Sequence, residues 1–171
     1  LRNSNLTFKR FFVISFGFPL PKSNEPYLRH YLMIHEVQGQ AHKHNNLHDG
    51  FSTIIPIEYR GKIKEKRIHP HQKGVKSLSN LVMHFTDEGE KVLDLFSGSG
   101  SMILACQETN RICISVEIEP KFCDLIVKRY HEVTKSEDIW LYRNGQKVHF
   151  RNVFDDMDYP YWIPIKSEVK K

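Results

Sequence analysis

The stretch EKVLDLFSGSGSMILACQ, residues 90–107, constrains the fold of this chain more than any other. An apolar run ends at Asp94, Gly98 and Gly100 follow two residues apart, and a segment with helical character (99–108) begins at once. A second apolar run and another helical segment come next in the chain. Strands that alternate with helices predict a parallel sheet with helical crossovers. The sequence therefore predicts an α/β fold around this stretch.

Helical periodicity marks two further segments. Apolar residues three and four positions apart predict an amphipathic helix at 75–86, upstream of the glycines. Downstream of them, a strand at 112–117 precedes a helix that Pro120 opens, since proline is favoured in the first turn. The residues expected on the apolar face of this last helix are Phe122, Leu125, Ile126, Tyr130 and Val133.

Runs of β-branched and aromatic residues, separated by turn formers, predict strands at 11–18, 30–37, 51–57 and 91–95. The Asn144-Gly145 pair between two β-type runs predicts a hairpin. The polar segment between the second and third strands is interpreted as a loop. The phenylalanines expected in the strand core are Phe11, Phe12, Phe16 and Phe18.

The composition is that of an ordinary folded domain. The chain has 171 residues, of which 40% are hydrophobic and 26% are charged, and it is expected to form one structural domain. Cys106, Cys113 and Cys123 are odd in number and lack C-x-x-C spacing, which favours a reduced, cytoplasmic setting over a disulfide framework. A net charge of +5 is compatible with a polyanionic partner.

The residues at the two strand ends indicate a ligand. In an open parallel sheet, ligands bind beyond the carboxyl ends of the strands. Gly98 and Gly100 lack a Cβ and permit close approach there, Asp94 suits a cation such as an amino group, and Glu117 at the next strand end suits ribose hydroxyls. The dinucleotide pattern G-x-G-x-x-G is excluded because position 103 is isoleucine. A nucleoside with a positively charged tail fits this set.

Three stretches, in order, resemble motifs of the amino-group DNA methyltransferases. RIHPHQKGVKSLSNLV (67–82) resembles motif X, VLDLFSGSGSM (92–102) resembles motif I, and ISVEIEPKFCDLIVKR (114–129) resembles motif II. The order X, I, II is that of the permuted β subclass. The resemblance implies a Rossmann-like fold, S-adenosylmethionine as cofactor, double-stranded DNA as partner, and methylation of adenine N6 or cytosine N4.

The same resemblance implies roles for individual residues. Glu117 would bind the ribose, and His69, Gln72 and Lys73 would shape the wall near the methionine end. The residues that would line the methionine and adenosine pocket are Asp94, Phe96, Gly98, Ser99 and Gly100.

The family's motif IV, [DNS]-P-P-[YFW], does not occur in this sequence. Its nearest approximations are NEPY (24–27), which has glutamate at the first proline, and DYPY (158–161), which has tyrosine there. No catalytic residue is therefore assigned. We expect the chain to be a fragment whose motif IV, together with the family's strands 4 and 5, lies upstream or in a companion chain.

Residues 1–60 are interpreted as a strand pair resembling motifs VII and VIII plus a remnant of a target-recognition segment, and residues 61–171 as the methyltransferase core. In the loop, His42, His44, His48 and Asp49 favour a solvated segment over a metal site. A basic run fits phosphate contacts or a solvated strand face equally well; its residues are Lys62, Lys64, Lys66 and Arg67. Two alternatives remain open, a non-catalytic cofactor- or DNA-binding subunit and an RNA methyltransferase of the same fold.

Overall fold

A computed structural model describes residues 5–16, 30–39, 54–57 and 72–153. In chain order its elements are β1 (Leu6–Phe16), β2 (His30–Gln38), β3 (Ile54–Ile57), α1 (Val75–Phe85), β4 (Lys91–Asp94), α2 (Ser101–Glu108), β5 (Ile112–Ser115), α3 (Pro120–Thr134), β6 (Trp140–Arg143), β7 (Gln146–His149) and a 3-10 turn at Phe150–Asn152. No helix in these ranges is long and apolar enough to cross a membrane.

The parallel pair predicted at the centre of the chain is confirmed. β4 and β5 pair in parallel, with Lys91 opposite Ile112 and Asp94 opposite Ser115. The parallel pairing continues one residue past these strands, where the Val116 amide donates to the Asp94 carbonyl at 2.9 Å. α2 connects the two strands as the helical crossover that the sequence predicts. The carboxyl ends of both strands therefore lie side by side.

A second sheet has the order β2-β1-β3. β1 and β2 are antiparallel, as predicted, and β3 adds to the free side of β1 in parallel. The register of β1 against β2 shifts between Phe8 and Arg10, where Lys9 is one extra residue. Within the described ranges no ladder joins this sheet to the β4–β5 pair, in agreement with the expected gap between the two strand pairs.

The bulge at Lys9 decides which phenylalanines are buried. An extra residue reverses the alternation of side chains, so Phe8 and Phe11 lie on one face, with ring centroids 4.9 Å apart. Phe12 lies on the other face, is buried, and makes an edge contact with Phe85 of α1 at 5.4 Å. The prediction of strand core is thus confirmed for Phe12 and wrong for Phe11, which is 54% exposed.

The three helices pack together beside the β4–β5 pair. Val75 of α1 and Leu104 and Ala105 of α2 form a buried cluster, with Leu78 and Tyr130 packed against it. α1 begins at Val75 as its periodicity predicts and ends at Phe85, one residue earlier than predicted, because Thr86 is extended. α2 begins at Ser101 instead of residue 99, because Gly100 adopts a left-handed conformation with a φ of +73°.

α3 differs from its predicted apolar face at two positions. Leu125 is fully buried as expected, whereas Val133 is 53% exposed, so its placement on the buried face was wrong. Arg129, one turn after Leu125, is buried instead, with 4% of its surface exposed. A helical face that periodicity predicts to be apolar therefore includes a cation.

The hairpin predicted at Asn144-Gly145 is present. β6 and β7 are antiparallel, with Arg143 opposite Gln146. Asn144 and Gly145 have φ angles of +50° and +76°, and positive φ at both central residues is what a two-residue hairpin turn of type I′ requires.

One face of the β4–β5 pair is apolar and open to solvent. Side chains alternate between the two faces of a sheet, and the residues of this face are 47–62% exposed. We call it the open sheet face; its residues are Leu93, Leu95, Ile112, Ile114 and Val116.

Candidate functional site

The carboxyl ends of β4 and β5 are joined through Glu117. Its Oε2 accepts a hydrogen bond from the Gly98 amide at 2.8 Å, and its Oε1 accepts one from the Glu119 amide at 3.0 Å. The side chain is half-buried. The carboxylate is thereby held between the turn that follows β4 and the segment that follows β5.

The turn after β4, residues 97–100, is called the glycine turn below. The Gly100 amide closes it by donating to the Ser97 carbonyl at 2.8 Å. Gly98 and Gly100 have positive φ angles of +54° and +73°, which are open to glycine but costly for residues with a Cβ. A Cβ at Gly100 would also lie 3.1 Å from the Cγ1 and Cγ2 atoms of Ile126 on α3. Glycine is thus required here by conformation and by packing.

Serine hydroxyls in and next to the glycine turn are hydrogen-bonded to one another; Ser97, Ser99 and Ser101 are buried and Ser115 is half-buried. Ser115 of β5 donates to the Ser97 hydroxyl at 2.5 Å. Ser99 and Ser101 have their hydroxyls 3.3 Å apart. Since a buried polar group without a partner is destabilising, these contacts fix the turn against the sheet and the neighbouring helices.

Asp94 ends β4 at the same edge. One of its carboxylate oxygens, Oδ1, accepts a hydrogen bond from the Phe96 amide at 3.0 Å, and the side chain is half-buried. No other hydrogen bond to the Asp94 carboxylate occurs within the described ranges. The remaining acceptor positions are available to a ligand donor beyond the strand ends, as the strand-end location predicts.

Part of the stretch resembling motif X reaches the same place. The Ser101 hydroxyl donates to the Lys73 carbonyl at 2.9 Å, which attaches residue 73 to the first residue of α2. Gln72 is half-buried and the Lys73 side chain is exposed. His69 lies outside the described residues.

Two exposed apolar side chains flank the strand ends. Phe96 follows β4 and is 89% exposed, and Ile118 follows β5 and is 95% exposed. Phe96 was among the predicted site residues, whereas Ile118 was not. Its position directly after the strand-end acid was the signal in the sequence that could have identified it.

Two thiols lie away from this edge, Cys113 in the first half of β5 and Cys106 near the end of α2. Burial, then the proximity of Cys106, raises the pKa of Cys113 to about 12, and burial also raises the pKa of Cys106. Because the thiolate is the reactive form, both side chains serve as packing groups.

Several predicted features lie outside the described residues. These are the histidine-rich loop with Asp49, the basic run from Lys62 to Arg67, and the NEPY and DYPY tetrapeptides. The residues that the structure does bring together are Asp94, Gly98, Ser99, Gly100, Glu117 and Lys73.

A parallel strand pair with a glycine turn and an acid at each strand end is the arrangement of a nucleoside-binding α/β protein. Residues 20–128 match the model of the N6_N4_Mtase family, described as DNA methylase. The chain belongs to this family, and the resemblance seen in the sequence is confirmed at the level of the family.

Two curated relatives are type II methyltransferases. The chain is 30% identical over 109 residues to M2.MboI of Moraxella bovis, a match that covers 55% of this chain and 40% of the relative. It is 30% identical over 66 residues to M.HpaI of Haemophilus parainfluenzae, covering 39% of this chain and 21% of the relative. The chain thus spans less than half the length of these curated relatives.

Solved structures share the fold. The M1.HpyAVI–SAM complex superimposes with a TM-score of 0.63 at 23% identity, over 75% of this chain and 64% of that chain. TTHA0409 of Thermus thermophilus, complexed with S-adenosyl-L-methionine, gives a TM-score of 0.55 at 18% identity, over 75% and 54%. The predicted methyltransferase fold is therefore confirmed.

Proposed function

We propose that this chain binds S-adenosylmethionine at the carboxyl ends of β4 and β5, and that it serves methyl transfer to the exocyclic amino group of adenine or cytosine in double-stranded DNA. One observation carries the proposal. The hydrogen bond from Gly98 to Glu117 joins the glycine turn to the strand-end acid, in a chain that belongs to a DNA methylase family. The choice of cofactor is supported by the related structure of M1.HpyAVI, which is a complex with SAM.

Glu117 is the proposed ribose ligand. Each carboxylate oxygen has two lone pairs, and each accepts one backbone N–H in this structure. The second lone pair of each oxygen would accept a hydroxyl of the ribose diol. Ile118, adjacent and almost fully exposed, would provide apolar surface for the adenine ring.

The methionine end of the cofactor would lie at the end of β4. Asp94 would accept a hydrogen bond from the cofactor's amino group, and the backbone of Gly98, Ser99 and Gly100 would lie against the chain of the ligand. Phe96 would shield the same side from water. The hydrogen bond from Ser101 to Lys73 supports a wall formed by Gln72 and Lys73, and His69 is assigned to that wall by the family resemblance.

When bound, the cofactor supplies an electrophilic methyl group on its sulfonium. Residues of this chain bind and orient that group. The acceptor for the hydrogen bonds of the target amine is a separate requirement, because the base must be held beside the methyl group and out of the duplex. Since the sequence has no [DNS]-P-P-[YFW] tetrapeptide, we assign this acceptor to a further segment or to a companion chain.

Calorimetric titration with S-adenosylmethionine tests the proposal. Glu117→Ala should weaken binding by about tenfold or more, because hydrogen bonds to charged groups contribute about 1.5–3 kcal/mol each. Glu132→Ala, the same change at an exposed position of α3, is the matched control and should bind like the wild type. A folded wild-type chain that does not bind, or a Glu117→Ala variant that binds equally well, would disprove the cofactor assignment.

A further inference from the structure

Arg129 of α3 is a buried cation directed at the glycine turn. Three acceptors of the segment around Gly100 lie within hydrogen-bond distance of its Nη1. They are the Ser99 carbonyl at 2.8 Å, the Ser101 hydroxyl at 2.9 Å and the Ser99 hydroxyl at 3.1 Å. Only 4% of the residue is exposed. The guanidinium therefore contacts both residues that flank Gly100.

The hydrogen bonds of Arg129 extend through Ser101 to residue 73. The Ser101 hydroxyl accepts from Arg129 and donates to the Lys73 carbonyl at 2.9 Å. One hydroxyl thus connects α3 to residue 73. Ile126, three residues before Arg129, packs over Gly100. α3 fixes the glycine turn with an apolar contact and a charged one.

The glycines give a reason for such an anchor. Glycine loses more backbone freedom on ordering than any other residue, and two of the four residues in the turn are glycines. A turn that becomes ordered only when ligand binds would lose affinity through this entropy, whereas a turn already held in its bound shape would not. A guanidinium is more weakly hydrated than the ammonium of lysine and is always charged, so arginine is the better cation for a buried position of this kind.

We propose that Arg129 is a positioning residue that holds the glycine turn in the shape that binds S-adenosylmethionine. This inference rests on the cofactor-binding function proposed above. Arg129 acts from behind the turn, through Ser99 and Ser101, and contacts no reacting atom. Its loss should therefore lower cofactor affinity beyond any loss of stability.

Arg111 provides a matched control. It is also a buried arginine, 7% exposed, and its guanidinium donates to the carbonyls of Thr109 and Thr86 and to the Thr86 hydroxyl. It precedes β5 and lies at the amino-terminal end of the β4–β5 pair, opposite the glycine turn. Arg111→Met removes a comparable set of buried hydrogen bonds without touching the proposed site.

The affinity for S-adenosylmethionine is measured by calorimetry. The protein concentration of each sample is corrected for the fraction that is folded. Arg129→Met should bind about ten- to a hundredfold more weakly than wild type. Arg129→Lys should recover only part of the loss, and Arg111→Met should bind like wild type however much its unfolding midpoint falls. Adding guanidinium ion at low millimolar concentration to Arg129→Ala should restore part of the affinity.

A second variant and two contrary outcomes complete the test. Ser101→Ala keeps Arg129 but removes the hydroxyl that links it to the Lys73 carbonyl. It should weaken binding about threefold to tenfold, which keeps the test open if Arg129→Met does not fold. Equal affinity in wild type, Arg129→Lys and Ser101→Ala would overturn the inference while leaving the proposed function intact. Absence of binding in wild type and Arg111→Met alike would instead overturn the proposed function.

Discussion

Alanine in place of Gly100 would place a methyl group between the glycine turn and α3. The new Cβ would lie 3.1 Å from the Cγ1 and Cγ2 atoms of Ile126, at a residue with a φ of +73°. The left-handed conformation costs a residue with a Cβ about 1–2 kcal/mol, and overpacking costs about 1–3 kcal/mol. Ile126 cannot turn both contacts away, because a β-branched side chain on a helix has one strongly preferred rotamer. We expect Gly100→Ala to lower the free energy of unfolding by about 2–5 kcal/mol.

Gly89→Ala separates the two contributions. Gly89 has a φ of +80°, and a Cβ there would meet no atom within 4 Å, so only the conformational cost of about 1–2 kcal/mol should remain. Both variants are compared by urea unfolding with linear extrapolation. A double-mutant cycle with Ile126→Ala should show a coupling energy of about 1–3 kcal/mol at Gly100 and none at Gly89. Equal losses for the two glycine variants, or additivity at Gly100, would refute the packing argument.

Three further outcomes are expected. Phe12→Ala should lower the free energy of unfolding by about 3–5 kcal/mol, whereas the exposed Phe11→Ala should cost about 1 kcal/mol or less; equal losses in urea unfolding would contradict the assigned faces of β1. Iodoacetamide at pH 8 should alkylate the exposed Cys123 before Cys113, because burial raises the pKa of Cys113 to about 12 and leaves it protonated; mass spectrometry of native samples would reveal the opposite order. The pure chain should transfer no labelled methyl group from S-adenosylmethionine to duplex DNA, since it lacks motif IV, and incorporation above background would disprove this.

The parallel pair and its strand-end carboxylates could be predicted because each rests on local chemistry. Strand, glycines and helix follow one another directly in the sequence, so topology alone brings Gly98 close to Glu117. The burial of Arg129 could not be predicted in this way. It depends on acceptors 28 and 30 residues earlier in the chain, and a cation in an apolar periodicity is ordinarily assigned to solvent.

Burial in β1 was unpredictable for a different reason. A bulge arises from the pairing of two strands, and nothing in the local sequence marks Lys9 as the extra residue. The observed start of α2 differs from the predicted one for a related reason. The left-handed conformation of Gly100 prevents the helix from beginning before Ser101, two residues later than predicted. Periodicity predicts that an element exists, but its first residue and the side it buries are set by its neighbours.

The open sheet face has a calorimetric consequence. The heat capacity change of unfolding arises chiefly from newly hydrated apolar surface, and averages about 12–15 cal/mol/K per residue. For 171 residues this gives about 2.1–2.6 kcal/mol/K. The residues of the open sheet face are already about half hydrated in the folded chain, so they contribute less than this average. The heat capacity change of unfolding, measured by scanning calorimetry, should accordingly fall slightly below the value that the length predicts.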